Sequence, residues 1–555
     1  MLNGAEAARK KGKAIVDSIL GPAAVTKGFT IEETQDRPHL QVVGSDLPAT
    51  ARELRDVFAD RSQLYDRGGV VVKLARSADG GAPMAVEVTA NGIVREAHRL
   101  VRPVSLNADK TFKPVTLSER VAGMYLDMRG EWNLPALDGI TTAPVLADDG
   151  AILDRDGYDP GTRLWCAKMP KLDVPANPTR ADAEAALLTL RAVIRTFPFG
   201  DAPRTVGTKE VPPMVDICQP AKLDESAALA ALLTAVCRPS LYLAPGYVVT
   251  APPISGAGAG KGMLVRAICL IAFGVPPRAF TAGTERNEMD KRLVAELIEA
   301  APAMFLDNLN GAALRSDILA SVLTERPARV RIMGKSLMVP LNSTAFIALT
   351  GNGLSMSEDL ARRFLATNLD AQMEDPEARP FAPGFLNRVK AARPELLAAA
   401  LTIWRWGRQN AATLTRGRQL GSFEQWAEWV RDPLLTLGCA DPVDRIVEAK
   451  AADPARKQVS DLYEAWYEQH DSMLRAVKDL GDEVRAIADP LGRGRQHLAT
   501  YLDKLTGTRA AGFVLQQSKP SGKWGQTLYK LEVTDREAVR ARQEAAKASR
   551  PAGAF

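Results

Sequence analysis

Residues 247–261 read Tyr-Val-Val-Thr-Ala-Pro-Pro-Ile-Ser-Gly-Ala-Gly-Ala-Gly-Lys. Small residues in such a turn let backbone N–H groups approach an anion, and a terminal lysine adds a mobile positive charge. The chemistry this suits is the cradling of nucleotide phosphates. Ser255, Gly256, Ala257, Gly258, Ala259 and Gly260 form the turn, and Lys261 would reach the β- and γ-phosphates. Gly262 and Met263 open an apolar helix whose N-terminus adds positive potential. Two positions depart from the pattern GxxxxGK[ST]. Ser255 stands at its first glycine, and Gly262 stands at the hydroxyl residue that would place an oxygen on Mg²⁺. A metal there must use water or another ligand.

Other residues of suitable type follow in order. Asp307 ends the apolar run Ala-Met-Phe-Leu and would hold Mg²⁺ directly or through water. Its neighbour Asn308 stands where many ATPases carry a Glu to orient the attacking water, and an amide cannot act as a base. Glu285 or Glu288, after the run at 279–283, would supply that carboxylate. Both also suit a plain helix start, where the dipole favours acids. Asn352 ends the run Thr-Ala-Phe-Ile-Ala-Leu-Thr-Gly-Asn and is placed to sense a γ-phosphate. Arg362 and Arg363 suit a finger that stabilises transition-state charge on a neighbouring subunit, which requires a ring. The plainer reading of that pair is a solvated helix face. Arg379 is a further candidate phosphate ligand.

These residues need a parallel sheet to position them, because a buried parallel strand delivers its last residue to the carboxyl edge where ligands bind. From 222 to 385 strand and helix patterns alternate as such a sheet requires. Strands are expected at 247–250, 279–282, 303–307, 345–350 and 364–369, with helices at 263–273, 288–300 and 313–324. Around this core the chain divides into a flexible segment at 1–40, an α+β domain at 41–215 for collar or partner contacts, the α/β domain at 216–385 and a helical lid or linker at 386–455. A small unit at 456–533 and a flexible tail at 534–555 complete it. The acids Asp154, Asp156 and Asp159 read as a solvated turn series rather than a cation site.

With the parts in this order, residues 240–385 resemble the helicase ATPases of mobile elements. These include AAA+ superfamily 3 helicases and the MCM-like helicases of phages and integrative elements. The resemblance rests on residues 255–262, 305–308, 350–352 and 359–364 and covers about a quarter of the chain. It implies an AAA+ (ASCE) P-loop core and ATP-dependent DNA unwinding in replication, with ATP and Mg²⁺ as cofactors. It further implies a homo-hexameric ring on single-stranded DNA and a primase or initiator as partner. Between the Asp307 and Asn352 runs, residues 329–340 read as two short strands around a Gly-Lys tip, a hairpin. The resemblance would point this hairpin into the ring channel. There Lys335 would grip the DNA backbone, with Arg331 and Arg329 beside it; such contacts carry no sequence information, which suits a motor.

Residues 460–532 read as a winged helix that binds duplex DNA. Helices are expected at 460–470 and 473–480 before a last helix that turns Arg495, Gln496 and Lys504 outward. Two alternating strands flank a basic loop holding Lys519 and Lys523, the wing.

Composition narrows the class. The chain has 555 residues, 46% apolar and 25% charged, as a multi-domain globular protein does, and its net charge of +5 does not by itself argue for nucleic acid. Five scattered cysteines without a CxxC and four histidines argue against structural zinc and for a reducing cytoplasm. No apolar run is long enough for a membrane span, and no secretory signal is expected at the N-terminus. Two rivals remain: an initiator that uses ATP only to assemble on DNA, and a transposition or partition ATPase. The hairpin and the C-terminal unit are less expected in the second rival.

Overall fold

A computed structural model describes residues 37–76, 83–207, 212–253, 256–281, 286–309, 313–332, 337–379, 383–446, 454–518, 527–537 and 539–540. Ser255, Glu285, Lys335, Lys519 and Lys523 lie outside them, as do most of the expected N-terminal segment and tail. The chain forms two compact units, residues 1–73 with 87–135, and residues 74–86 with 136–555.

In the first unit, helices Leu47–Arg61, Ala90–Leu100 and Glu119–Asp127 start at Asp46, Thr89 and Ser118, whose side chains accept backbone N–H groups. Such caps satisfy donors that a helix start leaves open. Strand His39–Gln41 runs parallel to Arg102–Leu106, which pairs antiparallel with Phe112–Pro114. Phe58, Ile93, Val121, Tyr125 and Trp132 fill the core, and the Trp132 indole donates to the Tyr125 carbonyl at 2.6 Å.

The second unit is built on a five-stranded sheet. Its leading helices are α1 (Arg180–Ile194) and α2 (Leu223–Cys237). The sequence then lays down β1 (Gly246–Ala251), α3 (Lys261–Phe273), β2 (Ala279–Phe280), α4 (Arg286–Glu299) and β3 (Ala303–Leu306). Next come α5 (Asp317–Thr324), hairpin strands β4 (Ala328–Ile332) and β5 (Leu337–Leu341), β6 (Phe346–Asn352) and β7 (Phe364–Asn368). The spatial order is β2-β3-β6-β1-β7, and every neighbouring pair is parallel. β1, β3 and β6 are buried almost throughout, which is why they read as apolar runs rather than alternating ones.

The described part of residues 386–455 lies within this unit. α6 (Phe385–Ala391) and α7 (Arg393–Gln409) pack on α3, and α7 also packs along α1. Trp404, Trp426 and Trp429 belong to the same core as the sheet. Residues 136–215 also belong to this unit. The Thr142 hydroxyl donates to the Phe273 carbonyl at 2.7 Å, and the buried Arg191 of α1 forks onto Glu225 of α2 at 2.7 and 2.9 Å.

Two sequence expectations fail locally. Residues 313–324 are not one helix: Ala313–Leu314 pairs as a strand with Ser355–Met356, and α5 starts only after Ser316, whose hydroxyl accepts the Leu319 N–H at 3.1 Å. Residues 473–480 are not one α-helix either: only Val477–Asp479 makes a short 3-10 turn. Arg475 and Ala476 add to a sheet edge opposite Tyr529 and Leu528, so strand pairing outweighs local preference. The Asp159 carboxylate accepts the Thr162 N–H and hydroxyl, and the Asp156 carboxylate accepts the N–H of Met169, 13 residues on.

The C-terminal part has its own core of Leu462, Tyr463, Trp466, Val484, Leu498, Leu502, Leu515 and Leu531. Helices α8 (Pro454–His470), α9 (Asp482–Ala488) and α10 (Arg495–Leu505) pack with a four-stranded antiparallel sheet. Among the described residues no helix is long and apolar enough to cross a membrane.

Candidate functional site

The sheet register assembles the site. Leu306 pairs with Leu349, so Asp307 emerges beside Thr350, and Ala251 pairs with Asn352. The ends of β1, β3 and β6 therefore meet at one edge, as crossover topology dictates for parallel strands.

After β1 the chain turns through residues 252–260 into α3. Gly258 and Gly260 have φ of +73° and +95°, a backbone region that glycine enters without strain. Gly256 admits no side chain, since a Cβ there would lie 2.3 Å from the Pro252 carbonyl oxygen and 2.8 Å from Asn352 Oδ1. Ala259 is buried beneath the turn, Ala257 is exposed, and Met263 packs on the core. Lys261, the first residue of α3, folds back over the turn. Its Nζ donates to the Gly256 carbonyl at 2.7 Å and to Asn352 Oδ1 at 2.5 Å. The structure thus joins the lysine and the amide that the sequence placed 91 residues apart.

Burial lowers the Lys261 pKa below the ordinary lysine value, and Asp307 opposes that shift. The cation is the form that attracts an anion. Affinity for an anion is therefore present below the lowered pKa and lost as pH rises through it. If phosphates bind here as the sequence leads one to expect, ATP affinity falls across the alkaline range at lower pH than an exposed lysine would cause, and Lys261→Arg should flatten the profile. Calorimetric titration across that range checks this; a wild-type profile as flat as the variant's would contradict it.

Asp307 is engaged on both oxygens. Oδ1 accepts the Thr350 hydroxyl at 2.5 Å, and Oδ2 faces Arg266 Nη2 at 3.3 Å. Arg266 lies one turn along α3 from Gly262, with its guanidinium 5.3 Å from the Phe305 ring centre. A Cβ on Gly262 would lie 2.5 Å from Arg266 Nη1 and 3.5 and 3.6 Å from the Asp307 oxygens. The space where a Ser or Thr hydroxyl would join Asp307 around a divalent cation is thus filled by a guanidinium. The residues present do not fit the Mg²⁺ expected on Asp307.

Asn308 has φ +65°, and its N–H donates to Thr350 Oγ1 at 3.0 Å. Asn tolerates this left-handed backbone better than Glu does, so the amide at 308 has a conformational cause. Glu288 pairs with Lys291 of its own helix at 2.7 Å, and that bond, more than any other cause, lowers its pKa. Arg362 and Arg363 both pair with Asp359, at 2.5 and 3.1 Å. Arg379 follows the turn Pro376–Ala378, whose Glu377 packs on Gly258. Burial first, then the charge of Arg204, lowers the Arg379 pKa.

β4 and β5 pair antiparallel from Ala328↔Leu341 to Ile332↔Leu337. Ala328, Val330 and Ile332 face inward, and Arg329 and Arg331 are exposed. The tip with Lys335 lies outside the described residues. On α10, Leu498 and Leu502 are buried, and Arg495, Gln496 and Lys504 are exposed. Reading the sequence did not find Arg266 or the Thr350–Asp307 bond. The available signal was Arg266 four residues after a glycine that replaces a hydroxyl, on the same helix face.

No family model and no curated protein matches the chain. Among solved structures it is similar to the A form apo structure of the NrS-1 C-terminal region, at 12% identity and TM-score 0.29, over 60% of this chain and 82% of that one. A second apo structure of that region matches at 12% identity and TM-score 0.31, over 66% of this chain and 80% of that one.

Proposed function

We propose that this chain is an ATP-dependent DNA helicase with an AAA+ core, acting in replication of a phage or integrative element as a hexameric ring on single-stranded DNA. The observation that carries the proposal is the junction of Lys261, Asp307 and Asn352 at one edge of a parallel sheet ordered β2-β3-β6-β1-β7. In this reading Lys261 and the N–H groups at the start of α3 hold the phosphates of ATP. Asn352, already bonded to Lys261, would sense the γ-phosphate. Arg362 or Arg363 would leave Asp359 to reach the neighbouring subunit's nucleotide. The arrangement of α8–α10 with an antiparallel sheet supports the winged-helix reading, with Arg495, Gln496 and Lys504 toward duplex DNA.

The β4–β5 hairpin, inserted between the strands that deliver Asp307 and Asn352, supports DNA engagement inside a ring. Its exposed Arg329 and Arg331 suit phosphate contacts. In Arg329→Ala/Arg331→Ala, basal ATP turnover is expected to persist while stimulation by single-stranded DNA is lost. The salt slope of DNA binding should fall by about 0.7 per contact removed. Steady-state turnover with and without oligonucleotide, at several salt concentrations, measures both. Full stimulation in the double variant would remove the hairpin from the DNA path.

A second reading is an ATP-regulated initiator that assembles on DNA without separating strands. The guanidinium of Arg266 against Asp307 favours it, since it occupies the place where hydrolytic sites hold a metal. Strand displacement of a forked duplex decides: release of the labelled strand supports the helicase, and ATP-dependent oligomers without release support the initiator.

A further inference from the structure

Gly262 and Arg266 together make a feature that the nucleotide reading alone does not use. Gly262 has no side chain, and the nearest atom to its absent Cβ is Arg266 Nη1 at 2.5 Å. The other terminal nitrogen of the same guanidinium faces Asp307 at 3.3 Å, with both side chains about a third exposed, at 33% and 29%. A serine at 262 would force the arginine away. An alanine at 266 would leave Asp307 Oδ2 without the guanidinium it faces. The two residues therefore depend on each other: glycine makes the room, and arginine fills it with a charge.

That charge is in the right place for phosphates. Arg266 projects from the first turns of α3, the helix that Lys261 opens, on the face that Gly262 shares. Phe305 lies under the guanidinium and holds its plane, as an aromatic face does for a cation. A guanidinium has five donors in a rigid fork, so one edge can keep Asp307 while another meets a phosphate oxygen. Lys261 and Arg266 thus set two cations beside the carboxylate of Asp307.

Resting on the nucleotide reading above, we infer that Arg266 is the resident cation of the site: its guanidinium holds the place beside Asp307 that a divalent metal takes where residue 262 carries a hydroxyl, and ATP binds here without a divalent cation. Arg266 is thus a ligand for the phosphates. Gly262 is a positioning residue that acts through it.

The test is calorimetric titration of the full chain with ATP, in EDTA and in excess Mg²⁺, for wild type, Lys261→Ala, Arg266→Ala and Gly262→Ser. Wild type is expected to bind in EDTA about as tightly as in Mg²⁺. Arg266→Ala should weaken binding in EDTA by about 10–100-fold, the ratio for losing a charged hydrogen bond of about 1.5–3 kcal/mol, and weaken it less in Mg²⁺. Gly262→Ser leaves Arg266 in the chain but displaces its guanidinium. It should reproduce the EDTA loss even if Arg266→Ala fails to fold. Wild-type binding that requires Mg²⁺ and is lost in Lys261→Ala would overturn the inference and leave the nucleotide site standing. EDTA binding unchanged in both Arg266→Ala and Gly262→Ser would do the same. No ATP binding by wild type in either buffer would overturn the nucleotide reading and this inference together.

Discussion

Lys261→Ala is expected to abolish ATP turnover, with or without DNA, by about 10²–10³-fold or more, the range that follows loss of a preorganised charge at a reacting group. The side chain is half-buried over the turn, and its Nζ already spans Gly256 and Asn352 at 2.7 and 2.5 Å. Alanine removes a side-chain charge that reaches both the turn and the amide expected to sense the γ-phosphate. The fold should survive. The two acceptors left behind lie at a half-open edge where water can replace the ammonium, and the loss of such bonds costs about 1 kcal/mol each. Activity and stability should therefore separate. Circular dichroism melts of the variant should overlay wild type, and phosphate release should fall to background. Turnover within about twofold of wild type would place the nucleotide site elsewhere.

The largest stability effect is expected at Arg191. Its guanidinium donates to both Glu225 oxygens at 2.7 and 2.9 Å and to the Ile217 carbonyl at 2.9 Å. The side chains are 5% and 0% exposed. Removing one member of such a pair strands the other charge where water cannot reach it. Arg191→Ala should cost about 3–5 kcal/mol, and Glu225→Ala a similar amount. Replacing both by apolar residues of similar volume should recover much of that loss, because no uncompensated charge then remains. Trp404, Trp426 and Trp429 belong to the core that includes α1 and α2, so their fluorescence reports this unit's unfolding in urea. The chain has more than one unit, and the comparison is between midpoints of that transition, not a single global free energy. A midpoint unchanged in Arg191→Ala would show that the pair contributes nothing net.

Much of the site was legible in the chain. An apolar run, a glycine-rich turn and a lysine specify a strand, a loop and a helix start by local physics alone: burial, positive φ and the open N–H groups of a first turn. The same local rules found the strands that end in Asp307 and Asn352, and the hairpin whose alternation leaves Arg329 and Arg331 outside. They failed where partners distant in sequence decided. Residues 313–314 and 475–476 became strands because an edge was waiting for them, at Ser355–Met356 and at Leu528 and Tyr529. The helical segment after α6 joined the main core because its tryptophans found α1, α2 and α3.

The sequence by itself determined which residues could hold a phosphate and on which kind of element each would sit, because strand and helix periodicity and turn chemistry act over a few residues. Tertiary structure alone decided what surrounds Asp307. A parallel register sets Thr350 against one oxygen, and the spacing of α3 from β3 sets Arg266 against the other. Both contacts span more than 40 residues, at separations of 43 and 41, and no local pattern encodes them. A glycine in place of a hydroxyl looked from the sequence like a missing metal ligand. Folded, it is the space that a guanidinium occupies.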